Sequence, residues 1–348
     1  MSKLRIAVAG AGLIGRTHIQ VLGQSPSAEL CAVADPAPAS AALAAQQGVP
    51  HFEDLAELLS QVRPDGVILA TPNALHVPQA LQCLAAGVHV LVEKPVSPTV
   101  AEGEQLRQAA QTSAAQVLIG HHRAHSPIMA QARNVVQSGR LGRLVAVMGS
   151  ATFYKPAQYF ADGPWRTQPG GGPILINLIH EVHNLRMLCG EIVAVQAFAS
   201  NSVRGFAVED TVSINLRFAS GALGSFLLSD TAASARSWEQ TSQENKAYPS
   251  HDDEDCYVLS GTLGSLSVPT MRLKAYPSAE DASWWKPFEQ SRVDLVREDP
   301  LVRQLAHFAQ VIRGEARPLV SVQDGLQNLR VTEAIAEAAR SGRTVALN

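Results

Sequence analysis

The chain has 348 residues, of which 28 are basic and 31 acidic, so its net charge at neutral pH is only -3. That length suits two domains better than one core. Because the sequence has no basic block, nucleic acid and anionic membranes are poor candidates for partners. No apolar run is long enough to span a bilayer, and the first residues do not resemble a signal peptide. The four cysteines lie far apart in apolar contexts, which suits a reducing compartment, so we expect a cytoplasmic protein.

The first third of the chain alternates short apolar runs with Ala- and Leu-rich segments that are typical of helices. The apolar runs are Ile6 to Ala9, Leu30 to Ala34, Val67 to Ala70, Val88 to Val92 and Val117 to Ile119. Strands that are apolar on both faces and joined by helices indicate a parallel sheet covered on both sides. We therefore predict an α/β fold whose first domain, residues 1–122, is a doubly wound Rossmann sheet.

The pattern changes after residue 140, where longer alternating strands begin. In TVSINLRF, residues 211–218, every second side chain is apolar, and Ser-Gly at 220–221 turns the chain back as in a hairpin. One face of this sheet should be covered, and the open face suits contact between subunits. We predict a C-terminal α+β domain over residues 123–348, with a large, open, mostly antiparallel sheet.

Helices are predicted for Leu175 to Leu188 and, near the end of the chain, for Pro300 to Gly314 and Val322 to Ser341. Residues 231–255 between the strands and the last helices have little periodicity and many polar groups. A loop of that length in a compact domain usually lines a site or is mobile.

The segment GAGLIG, residues 10–15, is a GxGxxG that follows a strand and opens a helix. Gly10 would make the tight turn, Gly12 would let a pyrophosphate approach the backbone, and Gly15 would let helix and strand pack closely. The phosphates would lie at the helix N-terminus, where unpaired N–H groups and the helix dipole favour anions. The predicted pyrophosphate site comprises Gly10, Gly12, Leu13, Ile14 and Gly15.

Asp35 lies twenty residues after this motif, at the end of the second predicted strand. An acidic residue there accepts a hydrogen bond from the adenosine ribose 2'-hydroxyl and repels a 2'-phosphate. No arginine follows Asp35 to reverse that preference. The sequence therefore predicts NAD as the cofactor and not NADP.

A charge pair ends a core strand in HVLVEKPVSP, where Glu93 and Lys94 follow three apolar residues. In a doubly wound sheet the ligand lies outside the carboxyl ends of the strands, so we expect both side chains to face that crevice. The preceding core strand ends in ATPNALH. The same rule assigns Thr71, Pro72, Asn73 and His76 to the nicotinamide half of the cofactor site.

Together these motifs resemble the Gfo/Idh/MocA family, which includes glucose-fructose oxidoreductase and inositol dehydrogenase. The resemblance runs over nearly the whole chain and adds GGG at 170–172, with a histidine eight residues further on. It implies an NAD(P)-dependent dehydrogenase of sugars, polyols or related cyclic alcohols, often a dimer or tetramer joined through the second domain's open sheet. It also implies that Lys94 contacts both the substrate and the nicotinamide ribose. An ammonium at that place would stabilise the alkoxide that forms as hydride leaves.

The segment that follows GGG carries His180 and His183 one helical turn apart, with Asn177 three residues earlier, so regular helical spacing would give all three a common face. The family commonly has Asp at the positions of Ile176 and His183. We assign His180 as the acid/base group, since its ordinary pKa of about 6.5 suits reversible proton transfer. Asn177 would position a hydroxyl. Whether His180 or Lys94 is the base stays open, and the i, i+3 spacing of HEVH argues against a zinc site.

Basic and aromatic side chains are expected to complete the substrate site. They suit a polyhydroxylated ring, and also a ring that carries carboxylates, because arginine binds a carboxylate through two parallel hydrogen bonds. Besides Lys94, Asn177, His180 and His183, the predicted substrate residues are His122, Arg123, Lys155, Trp165, Arg166 and Arg236, with Tyr159 among the aromatic groups.

The leading functional hypothesis is an NAD-dependent dehydrogenase that oxidises a secondary alcohol of a sugar, polyol or cyclic diol. The alternatives are a cis-dihydrodiol dehydrogenase acting on a carboxylated ring, and a lyase or glycosidase that uses NAD transiently. A non-catalytic NAD-sensing regulator is a further alternative, against which the intact lysine of EKP and His180 argue. A small-molecule substrate and a homodimer or homotetramer are the expected partners.

Overall fold

The structure is a computed structural model, and residues 2–347 are described. The chain divides into two compact units. The first comprises residues 1–125 together with Pro300–Leu329, and the second comprises Ser126–Asp299 together with residues 330–348. Each unit is described by itself below.

Two sheets contain all the strands of the described residues. The strands are β1 Leu4–Ala9, β2 Ala28–Ala34, β3 His51–Phe52, β4 Gly66–Leu69, β5 His89–Glu93, β6 Val117–Gly120, β7 Leu144–Thr152, β8 Ile192–Ser200, β9 Thr211–Phe218, β10 Leu223–Ser229, β11 Tyr257–Gly261, β12 Gly264–Val268, β13 Arg272–Ala275, β14 Glu289–Arg292 and β15 Val345–Ala346.

The α-helices of the described residues are α1 Leu13–Gly23, α2 Pro38–Gln46, α3 Leu55–Val62, α4 Asn73–Ala85, α5 Val100–Thr112, α6 Pro127–Gln137, α7 Ala157–Ala161, α8 Ile179–Cys189, α9 Trp238–Ser242, α10 Pro300–Ile312 and α11 Val322–Ser341. Short 3-10 turns occur at His122–His125, Pro164–Thr167 and Ala279–Asp281, and a π turn, Ile174–Leu178, leads directly into α8.

The first unit is built on a six-stranded parallel sheet in the order β3-β2-β1-β4-β5-β6. Its central strands β4 and β5 are buried along almost their whole length, as expected for a sheet covered by helices on both faces. The order of successive strands reverses between β1 and β4, which run parallel, and this switch point leaves a crevice at their carboxyl ends. The predicted doubly wound Rossmann sheet is confirmed.

The structure places residues 300–329 in the first unit, whereas the prediction assigned everything after residue 122 to the second domain. Helix α10 packs directly on β4, where a Cβ atom added to Gly66 would lie 2.8 Å from Ile312 and 3.0 Å from Phe308. The backbone N–H of Ile119 on β6 donates to the carbonyl of Val320 over 3.0 Å. Residues 300–329 therefore cover the first sheet. In sequence, almost all of the second unit lies between this segment and the strands of that sheet.

The second unit contains a nine-stranded sheet in the order β14-β13-β12-β11-β7-β10-β9-β8-β15. Its neighbouring strands are antiparallel, except β7 and β10, which run parallel. The predicted hairpin forms between β9 and β10, and the apolar residues of β9 are buried in strict alternation with exposed polar ones. Helices α6 and α8 lie on the covered face. The predicted α+β arrangement with a large, mostly antiparallel sheet is confirmed.

The segment 231–255 is more ordered than the predicted loop. It contains α9, whose first residue Trp238 is only 3% exposed and donates through Nε1 to Glu244 Oε2 over 3.0 Å. The other carboxylate oxygen of Glu244 accepts a hydrogen bond from Ser126 Oγ, and Ser126 also caps α6. The buried side chains of Trp238 and Glu244 thus connect this segment to α6 within the second unit.

Among residues 2–347, none of the helices combines the length and the apolar character that a membrane crossing requires.

Candidate active site

The glycine-rich turn after β1 has the geometry that the GxGxxG motif predicts. Gly10 adopts φ +90°, and a Cβ there would lie 2.5 Å from the carbonyl oxygen of Ala70. A Cβ on Gly15 would lie 1.9 Å from the carbonyl oxygen of Gly10, so only glycine lets α1 pack this closely. Gly12 differs, because nothing lies within 4 Å of its added Cβ. The open space over Gly12 is where a pyrophosphate would approach the backbone.

The beginning of α1 suits an anion. The helix has no acidic residue in its first turn, and no side chain caps it at Gly12, so its first N–H groups remain available to a ligand. The neighbouring predicted residues Leu13, which is exposed, and Ile14 form this first turn. These features fit the phosphates of a dinucleotide.

Asp35 lies beside this turn at the end of β2. Its Oδ2 accepts a hydrogen bond from the Ala11 backbone N–H over 2.6 Å, and its Oδ1 accepts one from Ala37 N–H over 2.7 Å. An ionised carboxylate has about four acceptor positions, so two backbone bonds leave acceptor capacity for a ribose hydroxyl. The carboxylate is thus held next to the glycine turn, where the motif predicts it.

The ends of β4 and β5 are tied together by a buried histidine. His76 on α4 lies between two carbonyl oxygens, with Nδ1 2.8 Å from that of Pro95 and Nε2 2.9 Å from that of Thr71, and its neutral ring donates its one N–H to one of them while the other stays in close contact. Burial lowers the pKa of His76, although both carbonyl contacts oppose this shift. The imidazole therefore holds the TPN turn, residues 71–73, against the EKP turn, residues 93–95. Pro72 directly precedes α4 and Asn73 begins it.

Glu93 is buried at the carboxyl end of β5 and is held on two sides. His18 on α1 lies 2.8 Å from its Oε1 through Nε2, and the backbone N–H of Lys94 donates to its Oε2 over 3.2 Å. Burial raises the pKa of Glu93, but the hydrogen bond and charge of His18, with smaller effects of His122 and Lys94, outweigh it and lower the pKa below its ordinary value. Glu93 is therefore an ionised acceptor, and His18 Nε2 carries the donated proton.

Lys94, His122 and Arg123 all belong to the first unit. Lys94 is half-buried directly after β5, at the carboxyl edge of the sheet. His122 and Arg123 form the 3-10 turn that follows β6, and Arg123 is only 3% exposed. Arg123 thus packs inside the unit, whereas His122 is half-buried and acts on Glu93 electrostatically.

In the second unit, the GGG segment makes room for two close approaches. A Cβ on Gly171 would lie 2.6 Å from the carbonyl oxygen of Trp165, and one on Gly172 would lie 2.7 Å from Glu209 Oε1. The same Glu209 oxygen accepts a hydrogen bond from Ile174 N–H over 2.8 Å at the start of the π turn. Burial raises the pKa of Glu209.

The predicted single helix from Leu175 to Leu188 is replaced by the π turn and α8. A π turn closes i→i+5 hydrogen bonds, so regular α-helical spacing does not hold across it. His180 and His183 lie one turn apart within α8 as expected, and both are buried. Asn177 lies in the π turn and is half-buried. For Asn177, the π turn replaces the regular helical spacing on which the prediction of a common face rested.

Lys155, which follows β7, contacts the π turn directly. Its Nζ donates to Asn177 Oδ1 over 2.7 Å and lies 3.7 Å from Asp230 Oδ2. Asp230 also pairs with Arg204, whose Nε lies 2.9 Å from Oδ1. Burial raises the pKa of Asp230, although Lys155 and Arg204 oppose this shift. Asp230 thus joins two cations, and one of them, Lys155, contacts the side-chain amide oxygen of Asn177.

Tyr159 carries two cations on its ring. Lys155 Nζ lies 4.6 Å from the ring centroid and Arg166 Cζ lies 4.0 Å from it. A guanidinium or ammonium at that distance is attracted by the ring quadrupole. Burial raises the pKa of Tyr159. Trp165 is half exposed, and Arg166 also lies over its ring, 5.6 Å from the centroid.

Arg236 lies elsewhere. Its exposed guanidinium pairs with Glu254, with 3.0 Å between Nε and Oε2. The structure thus brings Lys155, Tyr159, Arg166 and Asn177 together in the second unit, and places Arg236 in a surface ion pair.

Four residues of these clusters were absent from the predictions, namely His18, Arg204, Glu209 and Asp230. His18 lies three residues after Gly15, where a polar group in an otherwise buried helix face was the available signal. Asp230 directly follows β10, so it too is a charge at the end of an apolar strand, like Glu93. Arg204, in the connection between β8 and β9, had no local signal, because only the folded chain brings it to Asp230.

Comparison with known proteins gives two family matches. Residues 4–121 match the model of the oxidoreductase family with an NAD-binding Rossmann fold, and residues 129–267 match the GFO/IDH/MocA C-terminal domain. Together the two models cover most of the chain.

Curated relatives agree with this assignment. The chain is 27% identical to the scyllo-inositol 2-dehydrogenase (NAD(+)) of Bacillus subtilis, over 99% of this chain and 97% of that protein. It is 30% identical to the rhizopine catabolism protein MocA of Rhizobium meliloti, but that match spans 55% of this chain and 59% of the relative.

Among solved structures, the WlbA dehydrogenase of Chromobacterium violaceum in complex with NADH and UDP-GlcNAcA is similar over 99% of this chain and 96% of that one, with a TM-score of 0.78 and 26% identity. The glycine turn with its open space over Gly12, the placement of Asp35 and the match of residues 4–121 to the NAD-binding Rossmann model assign NAD as the cofactor. The chain belongs to the Gfo/Idh/MocA family of oxidoreductases.

Proposed function

We propose that this protein is an NAD-dependent dehydrogenase that oxidises a secondary alcohol of a sugar, polyol or cyclic diol. The observation that carries the proposal is the linkage of the TPN and EKP turns through His76, which holds Lys94 at the carboxyl edge of the sheet that binds the dinucleotide. Ligands of doubly wound sheets bind at this edge. The scyllo-inositol dehydrogenase among the relatives acts on a cyclic polyol, which supports this substrate class.

The glycine turn and Asp35 would hold NAD, which would supply the hydride acceptor for the substrate carbon. Lys94 directs its ammonium at the substrate oxygen and stabilises the negative charge that develops when the hydroxyl proton leaves. Glu93, anchored by His18, holds the backbone N–H of Lys94 and so limits the freedom of this strand end. The fixed position of the charge lowers the barrier because it needs no reorganisation during the reaction.

His180 is proposed to exchange the hydroxyl proton together with Lys94. A histidine changes protonation close to neutral pH, which suits a reaction that runs in both directions. Asn177 is proposed to position a second hydroxyl. Because Lys155 has only donors, the oxygen of the amide must face Lys155, and the NH2 group is left to donate to the substrate.

An NAD-reduction screen tests this function. Purified full-length protein is incubated with NAD or NADP and with scyllo-inositol, myo-inositol, aldoses and carboxylated cis-diols, and absorbance of the reduced cofactor is recorded. We expect NADH formation with a neutral cyclic polyol or sugar. Failure of every secondary alcohol, or turnover without any net NADH as in a lyase, contradicts the proposal.

A cis-dihydrodiol dehydrogenase acting on a carboxylated ring is the second candidate. It is favoured by the pair of cations, Lys155 and Arg166, on the ring of Tyr159, because such a pair also suits a carboxylate. Arg166→Leu distinguishes the two. If the protein is a dihydrodiol dehydrogenase, this variant should lose turnover of carboxylated diols and keep turnover of neutral polyols. If it is a polyol or sugar dehydrogenase, the variant should either change the turnover of both substrate classes to the same extent or leave both unchanged.

We also propose that the open face of the nine-stranded sheet joins subunits into a homodimer or homotetramer. This face exposes large apolar side chains on three strands, namely Met148, Phe198, Leu223 and Leu227. Contiguous exposed apolar surface of this kind typically marks a protein interface. Light scattering of the purified chain tests this, and a Leu223→Lys, Leu227→Lys variant should shift the protein to monomer. A cytoplasmic location is proposed from the four thiols, none of which is in a disulfide.

A further inference from the structure

A buried hydrogen bond joins α1 to the end of β5. His18 Nε2 lies 2.8 Å from Glu93 Oε1, and only 2% and 6% of the two side chains are exposed. Ionisable groups are rarely buried this deeply unless they are paired, and removal of one partner leaves the other uncompensated. A bond in this position therefore resists separation of the two elements that it connects.

The two elements have different tasks. Gly12 is the N-cap of helix α1, where the pyrophosphate of the cofactor would approach the backbone. Strand β5 ends at Glu93 and continues directly into Lys94. The two oxygens of the Glu93 carboxylate accept different hydrogen bonds. Oε1 accepts one from His18 Nε2, and Oε2 accepts one from the backbone N–H of Lys94. A rotation of this carboxylate would disturb both contacts at once.

The Glu93 carboxylate lies directly over Gly120 of strand β6. Gly120 is paired with Glu93 across β5 and β6, and a Cβ on Gly120 would lie 3.0 Å from Cα, Cδ and Oε1 of Glu93. The charged groups that act on Glu93 are His18 from α1, His122 from the turn after β6, and Lys94 from its own strand. Glycine at position 120 is thus matched to the orientation of the carboxylate that His18 selects.

We propose that His18 is a positioning residue that couples occupation of the pyrophosphate site to the placement of Lys94, with Glu93 as the link. This inference rests on the proposed function, because it takes Lys94 as the group that meets the substrate oxygen. Coupling of binding free energies is reciprocal, so a change that loosens the link lowers NADH affinity. Because the same change displaces Lys94 from the substrate oxygen, it also lowers turnover.

Four variants of the full-length protein test the coupling. His18→Leu removes the proton donor, Gly120→Ala crowds the carboxylate from the opposite side, and His18→Gln keeps an N–H donor for Glu93. His89→Leu is the matched control, because His89 begins the same strand at its far end, where its Nδ1 accepts only the Gln116 N–H over 3.1 Å. NADH dissociation constants are measured by fluorescence, and kcat and KM by NAD reduction with scyllo-inositol or the best substrate of the screen.

We expect His18→Leu and Gly120→Ala to lower kcat by about 10- to 100-fold and to raise the NADH dissociation constant, with a smaller change in substrate KM. His18→Gln should recover most of both values, and His89→Leu should behave as the native protein. A purely structural role for His18 would lower thermal stability without this common loss of NADH affinity and kcat, and that result overturns the inference.

If His18→Leu does not fold, Gly120→Ala decides, since native NADH affinity and native kcat in that variant also overturn the coupling. Lys94→Met separates this inference from the proposed function. Native turnover in Lys94→Met rejects the proposed role of Lys94, whereas the comparison of NADH affinity between His18→Leu and His89→Leu still decides whether His18 supports the cofactor site.

Discussion

Lys155 holds the amide of Asn177 in one orientation, with 2.7 Å between its Nζ and Oδ1. Lysine can only donate, so the amide nitrogen points away from it. Lys155→Met keeps the length and apolar stem of the side chain but releases the amide. Loss of one hydrogen bond from a charged donor costs about 1.5–3 kcal/mol, so we expect kcat/KM to fall roughly 10- to 150-fold.

Lys286→Met is the control for this prediction, because Lys286 pairs with Asp281 on the exposed surface of the same unit. Steady-state kinetics with the substrate from the screen should give this control the same kcat/KM as the native protein. Native kinetics in Lys155→Met would mean that the orientation of Asn177 does not matter for the reaction.

Asp35 should determine the choice between NAD and NADP. Its carboxylate is held beside the glycine turn by Ala11 and Ala37, in place to accept a ribose hydroxyl and to repel a phosphate. Asp35→Ser should weaken NAD binding by about 1.5–3 kcal/mol and improve the relative use of NADP. The ratio of kcat/KM for the two cofactors is the measurement, and an unchanged ratio would refute the role of Asp35.

Two glycines on α1 should respond differently to the same added methyl group. At Gly12 nothing lies within 4 Å of an added Cβ, so Gly12→Ala should fold with native thermal stability. It should nevertheless bind NADH poorly, because the methyl group occupies the space of the pyrophosphate. Gly23→Ala, at the other end of α1, also meets nothing within 4 Å and serves as the control. Equal NADH affinity in both variants would place the phosphates elsewhere.

The pH dependence of stability should report on Glu93. Its folded pKa lies below the ordinary value of 4.5, so its contribution to stability is present above pH 4.5 and is lost as pH falls through the folded pKa. His18→Gln removes the charge of His18, and the pKa of Glu93 should rise relative to the native chain. The loss of stability in this variant should therefore be largest above pH 4.5 and should diminish as pH falls below that value.

Urea unfolding at about pH 6 and at about pH 3.5 measures that difference. The equivalent pair of experiments on His89→Leu should show no such trend, because His89 lies at the opposite end of β5 from Glu93. A deficit in His18→Gln that does not change with pH would mean that Glu93 does not titrate in this range.

Local patterns in the sequence were sufficient for most of the fold and for the cofactor site. The apolar runs predicted five of the six parallel strands, whereas β3, with only His51 and Phe52, is too short to form a pattern. The glycine turn and Asp35 were predictable because a local motif determines their geometry. Strict alternation in residues 211–218 likewise identified a half-buried strand.

What the sequence could not predict depends on contacts between distant segments. The π turn before His180 has no residue signature of its own, and it changes where Asn177 lies. The pairs His18–Glu93 and Arg204–Asp230 join residues far apart in sequence, so spacing carries no information about them. Trp238 looked like part of a polar loop, but its burial depends on the pocket that it fills.

The packing of α10 on Gly66 has a consequence for biosynthesis. All six strands of the parallel sheet have been made by residue 120, yet Phe308 and Ile312 are translated only after almost the whole second unit. Until they arrive, the surface around Gly66 stays exposed to water. The second unit is thus an insertion into the first, and most of it must be translated before the cofactor domain of the nascent chain can be completed.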